Sequence, residues 1–256
     1  MTFAYASVDD AIGRSGLRMV VVGGVPSPWG EAAKGILHVK RIDWTAVRLA
    51  YDSDAMKDWI GQRSGPVAIH DSEPPRAGWR EILELAERLA PEPRLVPEDA
   101  PTRDLVLALA HEICGEGGLG WSRRLQLIDA GLHDAGGFPA RVAAYLGKKY
   151  GYSAEAGAAA PARVVALLGR LAARLKAQHD AGSRYFVGSD LTAVDIYAAT
   201  AMALFRPLPH DVCAMDAATR AALETRDAAT DAALDPVLLG HRDMMYAKHL
   251  ALPLSL

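Results

Sequence analysis

Four prolines within twelve residues, Pro91, Pro93, Pro97 and Pro101, divide this chain. Proline gives no N–H to a helix or to a sheet ladder, so no regular element runs through residues 90–101. Short β-branched runs precede the break, and long alanine-rich helical patterns follow it. This predicts residues 1–90 as a mixed α/β domain with a short N-terminal extension, 91–101 as a linker and 102–256 as an all-helical domain.

In the first part, residues 8–15 predict a short helix and residues 18–22 a buried strand ending at Gly23-Gly24. Ser27-Pro28 opens a helix to about Val39, because serine suits the cap and proline the first helical position. Residues 44–49 and 65–69 predict two more strands, with Pro66 at the start of the latter. Residues 50–61 form a polar connection with room for a helical turn, and a weak fourth strand falls near residues 70–76. Trp79, Ile82, Leu83, Ala86 and Leu89 have helical spacing. Beyond the linker, helices are predicted over residues 102–113, 121–132, 139–150, 162–179, 193–205, 216–224 and 236–250.

Composition narrows the function classes. Half of the 256 residues are hydrophobic, 23% are charged, and the net charge is −3. A scattered, slightly acidic charge pattern predicts neither nucleic acid nor an anionic membrane as partner. No apolar run reaches the roughly 18 residues of a membrane span. Residues 1–16 carry Asp9 and Asp10 and do not read as a signal peptide. Two cysteines, Cys114 and Cys213, make no disulfide framework, so a reducing cytoplasm is expected. The histidines have no metal-ligand spacing, and no metal site is expected. Gly115, Gly117 and Gly120 match G-x-G-x-x-G in form only. They follow a helix instead of a strand, so a dinucleotide site is rejected.

The most specific segment is residues 186–196, Phe-Val-Gly-Ser-Asp-Leu-Thr-Ala-Val-Asp-Ile. Thr192 and Asp195 have the spacing of a capping box, and Leu191 and Ile196 that of a hydrophobic staple. The helix they open is apolar nearly all round, so burial is predicted. This string resembles the capping motif that starts the buried central helix of cytosolic glutathione transferases. Ser27-Pro28-Trp29 after the first strand, and Pro66 at the third, resemble that family too. The likeness spans residues 18–250.

The resemblance implies a thioredoxin-like N-terminal domain, a helical C-terminal domain, glutathione as co-substrate, and a homodimer. It implies Ser27 as the catalytic hydroxyl that stabilises the glutathione thiolate, with simple helix capping as the alternative role. Trp29, Gly65, Pro66, Gly78 and Trp79 become the expected glutathione-binding positions. Gly78-Trp79 stand where the family usually has Glu/Gln-Ser for the γ-glutamyl carboxylate. Ser72-Glu73 is the other register considered. A small hydrophobic electrophile is expected between the domains, where His111, Trp121 and Arg123 flank a glycine-rich bend. Three functions stay open: thiolate transfer to an electrophile, a binding protein with a weakened glutathione site, and a glutathione-dependent isomerase or ether-cleaving enzyme.

Overall fold

A computed structural model describes residues 4–256. Its first part runs α1 (Val8–Ile12), β1 (Leu17–Val21), α2 (Pro28–Val39), β2 (Trp44–Arg48), α3 (Asp54–Ile60), β3 (Val67–His70), β4 (Arg76–Ala77) and α4 (Gly78–Leu89). The sheet order is β2-β1-β3-β4. β1 lies parallel to β2 and antiparallel to β3, and β3 is antiparallel to β4. This is the expected thioredoxin-like arrangement.

Successive strand residues face opposite ways, and β1 is buried on both sides. Leu17, Met19 and Val21 join the core beneath α2 and α4, with Ile36, Leu37, Ile82 and Leu83. Val20 joins Val47, Val67 and Ile69 beneath Ala11 of α1 and Met56 and Ile60 of α3. The N-terminal segment therefore covers the second face of the sheet. Its Ala6 also bridges to Val47 at the β2 edge.

Two local expectations become more definite. The polar connection over residues 50–61 holds a two-turn helix, α3, capped by the Ser53 hydroxyl on Met56 N–H. The fourth strand is only Arg76–Ala77, at the end of the expected segment, because Pro74 and Pro75 have no N–H for the ladder.

The linker is pinned to both domains. Leu95 is fully buried, and its carbonyl accepts the N–H of Ala193. The buried Lys40 ammonium pairs with Glu87 at 2.8 Å and donates to the carbonyls of Ala90 (2.7 Å) and Pro93 (3.0 Å). Lys40→Met removes a buried cation and leaves three acceptors unmatched. It is expected to cost about 3 kcal/mol in a urea unfolding titration.

The helical part comprises α5 (Ala100–Cys114), α6 (Leu119–Leu132), α7 (Ala140–Tyr150), α8 (Ala154–Asp180), α9 (Ala193–Ala201), α10 (Ala217–Glu224), α11 (Ala228–Ala233) and α12 (Pro236–Lys248). α8 is the one helix among the described residues long and apolar enough, by length and composition, to cross a membrane. Its Val164, Leu167, Leu168, Leu171 and Leu175 are buried in the protein core, the place of a core helix. Every residue of α9 is buried, as its sequence predicts. At its start the Asp195 carboxylate reaches back to the Thr192 N–H (2.9 Å) and hydroxyl (3.0 Å). Its other oxygen accepts from Phe186 N–H (2.8 Å) and meets Nε2 of the buried His241 (3.0 Å).

Candidate active site at the sheet edge

The register of the sheet brings separate parts of the chain to one edge. Ser27 follows the C-terminal end of β1. Val20 pairs with Val67, so Gly65-Pro66 lies just beyond that same end. Val67 pairs with Ala77, which sets Gly78-Trp79 there as well. The Gly65-Pro66 bond is cis. A Cβ on Gly65 would stand 3.2 Å from the Val20 carbonyl oxygen, so the glycine permits a close approach of two backbones.

Ser27 precedes α2 and is 7% exposed. Its hydroxyl makes no capping bond, although its carbonyl accepts Glu31 N–H at 2.8 Å. The simple capping role is thus not what its side chain does. Helix geometry leaves the Trp29 and Gly30 amides without intrahelical acceptors, and Pro28 has no amide to satisfy. A hydroxyl and a helix N-terminus together favour an anion. Glu31, the acidic residue in this first turn, is buried and paired with Lys34. Burial, opposed by Lys34, raises its pKa.

Gly78 is exposed at the N-terminus of α4. The Glu81 carboxylate already accepts the Ala77 N–H there at 2.8 Å. Trp79 is held from the helical domain: Tyr197 donates its hydroxyl to the Trp79 carbonyl (2.9 Å). The Trp79 ring meets Tyr197 edge-on at 5.8 Å and His111 at 6.3 Å. His111 therefore does come to the domain junction. The alternative register does not hold. Ser72 and Glu73 lie in the β3–β4 turn at the opposite edge of the sheet. There Arg88 donates to both Glu73 oxygens (2.7 and 2.6 Å), and hydrogen bonds from Arg88 and then His70 hold this carboxyl below its usual range.

Trp29 bridges the domains. Its indole N–H donates to the Cys114 carbonyl at 2.9 Å, and its ring lies 6.0 Å from Tyr150. A Cβ on Gly120 would stand 3.1 Å from that indole. The glycine-rich bend therefore makes room for the protein's own Trp29, where the sequence suggested room for a ligand. Trp121 meets Tyr150 edge-on at 4.8 Å and belongs to the same aromatic wall.

Arg123 is placed differently from expectation. It is 1% exposed, within the helical domain. Its guanidinium donates to the carbonyls of Leu204 (3.0 Å), Leu223 (3.2 Å) and Thr225 and to Gln126 (2.7 Å). With its donors satisfied internally, it is a packing residue between α6 and the chain around α10. The next residue, Arg124, which periodicity did not single out, lies over Phe138, and its charge acts on Tyr51, just after β2, and on Lys149 and Tyr150 of α7. Tyr51 and Tyr145 meet edge-on at 6.0 Å. No spacing rule links residues so far apart in sequence.

Cys114 and Cys213 are free and buried. Burial pushes the Cys114 thiol up, and pushes the Cys213 thiol up to about 11. Neither is poised as a nucleophile. Among the described residues, no group of acidic, histidine and cysteine side chains could hold a metal ion.

No protein-family model and no curated protein sequence matches this chain. Solved structures do. A glutathione S-transferase domain-containing protein of Marinobacter aquaeolei superposes with a TM-score of 0.62 at 14% identity, covering 90% of this chain and 98% of its own. A glutathione S-transferase of Methylobacillus flagellatus, solved with glutathione bound, gives 0.61 at 14% identity, over 90% of this chain and 94% of its own. A glutathione S-transferase of Methylobacterium radiotolerans, in complex with glutathione sulfonate, gives 0.59 at 18% identity, over 91% of this chain and 92% of its own. From the first strand to the last helix, this chain has the glutathione S-transferase fold.

Proposed function

We propose that the chain binds glutathione along the C-terminal edge of its sheet and presents the thiol to Ser27 for attack on an apolar electrophile. The observation that carries this reading is the Ser27 hydroxyl, set at a helix N-terminus with no capping bond, at the sheet edge that also holds Gly65-Pro66. A free thiol has a pKa of about 8.5, so it is mostly protonated at neutral pH. A donated hydroxyl proton and the positive end of α2 both favour the thiolate. Gly65 offers its backbone polar groups to the cysteinyl unit. Glutathione supplies the nucleophilic sulfur; Ser27 holds its charge, and the wall of Trp29, Tyr150 and Trp121 excludes water.

The two ends of the site fit glutathione unequally. At α4 the amides of Gly78 and Trp79 can meet a carboxylate, but Glu81 puts a like charge in the same turn. This favours a second reading: a binding protein that keeps the fold and has a weakened glutathione site. Glu81→Gln keeps an acceptor for Ala77 N–H and removes the charge. It is expected to tighten glutathione by about two- to fivefold in calorimetry, the scale of one charge at an exposed helix end. Unchanged affinity would remove Glu81 from the account.

Isomerisation and ether cleavage would use the same activated sulfur, since the fold does not fix the reaction. Homodimerisation in a reducing cytoplasm completes the proposal. Light scattering at the mass of two chains supports it, and a monomer counts against it.

A further inference from the structure

The sheet order separates two sides of Ser27. Toward β3 and β4 lie Gly65-Pro66 and Gly78-Trp79. Toward β2, on the other side, Tyr51 emerges at the same edge, because Val21 pairs with Arg48 at the end of β2. The helical domain answers this side with Arg124 of α6 and with Tyr145, Lys149 and Tyr150 of α7. Tyr51 and Tyr145 are exposed by 43% and 48%, unusual for rings that could pack inward.

The side chains form one connected group. The Lys149 ammonium stands 5.6 Å from the centre of the Tyr150 ring. The Arg124 guanidinium lies 5.2 Å over Phe138, and its buried Nε has no hydrogen-bond partner. Burial raises the Tyr51 phenol, with Tyr145 and Tyr150 adding to the rise and Arg124 opposing it. Arg124 is thus close enough to act on Tyr51 across the domain junction. Lys149 is exposed along its side chain, yet crowding by the protein, with the Arg124 charge, pushes its pKa down to about 8. The charge felt by Lys149 is that of another cation. Among the described residues neither Arg124 nor Lys149 pairs with a carboxylate, and both lie against aromatic rings, which leaves a place for one anion.

We propose that this face receives a flat aromatic ligand bearing a carboxylate, its ring against Tyr51, Tyr145 and Tyr150 and its carboxylate on Arg124 and Lys149. Calling the ligand the second substrate rests on the reading of Ser27 given above; its binding does not. Aromatic rings supply contact area, and an arginine fork with a nearby ammonium supplies charge-assisted hydrogen bonds. A neutral arene gains only the first of these.

The test compares naphthoate with its neutral amide, titrated calorimetrically into the full chain without glutathione. Naphthoate is expected to bind at least about tenfold more tightly than the amide. Arg124→Met with Lys149→Met is expected to abolish that preference and leave the amide's affinity unchanged. Lys149→Arg is expected to keep it. If the double variant melts early, Lys149→Met alone, at an exposed position, serves with an expected severalfold loss of preference. Equal binding of the two probes by the unmodified chain overturns the proposal, as does a preference that survives loss of the cations. A separate glutathione titration on the same samples keeps the two proposals apart. Loss of glutathione binding with the naphthoate preference intact would count against the proposed function alone.

Discussion

Replacing Ser27 with alanine is expected to cut glutathione-dependent turnover by about a hundred- to a thousandfold, the scale of losing one donor to a developing negative charge. The loss should appear in kcat, with little change in glutathione affinity, because the hydroxyl contributes mainly to the charged form of the sulfur. A second readout is ultraviolet titration of the bound thiol. In the unmodified chain its pKa should lie below the free value of about 8.5, and in Ser27→Ala it should rise toward it. Each unit regained corresponds to about 1.4 kcal/mol of lost preference for thiolate. The α2 N-terminus remains in the variant, so part of the depression should persist. An unchanged rate together with an unchanged thiol pKa would return Ser27 to a purely structural role.

Asp195→Ala is expected to be the most destabilising of the substitutions discussed, by about 3–5 kcal/mol in urea unfolding. The carboxylate serves Phe186 N–H, Thr192 N–H, the Thr192 hydroxyl and His241, all in the core. Truncation leaves these groups without their acceptor. Against a total stability of about 5–15 kcal/mol, that is enough to empty much of the folded population. Asp195→Asn should fall between, since one oxygen can still accept. A loss under about 1 kcal/mol for the alanine variant would mean that the buried groups find other partners.

These two residues also mark what the sequence could and could not disclose. Thr192 and Asp195 were legible because a helix cap is local: acceptor and donor sit three residues apart. The same locality exposed Ser27-Pro28 as a helix start. His241 was not legible as a partner of Asp195, because 46 residues separate them. The succession of strands and helices followed from the pattern of short apolar runs, while the short fourth strand was blurred by Pro74 and Pro75. In the candidate site, the positions beside the strands were readable by their turns. In the helical domain, His111 and Trp121 were singled out and do come to the site, whereas Arg123 was misplaced and Arg124 missed. Arg123 and Arg124 are neighbours on α6 with the same chemistry, and only the packing shows that Arg123 satisfies backbone carbonyls while Arg124 lies over Phe138. The bond from the Trp29 indole to the Cys114 carbonyl, across 85 residues, was likewise invisible in the sequence.

The unequal ends of the site have a functional consequence. Ser27 and Gly65-Pro66 suit a thiol and a peptide unit, whereas Glu81 weakens the place for a terminal carboxylate. Arg124 and Lys149 add positive charge on the far side of Ser27. On the proposed function, the site would hold glutathione modestly and prefer a negatively charged second ligand. Neither property follows from the fold, which many chemistries share.

The most direct test is calorimetric titration of glutathione into the full chain at neutral pH, with thermal stability followed in parallel. The account predicts saturable binding at micromolar to low-millimolar concentration and a rise in melting temperature with glutathione. No heat, and no stabilisation at high glutathione, would contradict it and leave a transferase fold that serves another ligand.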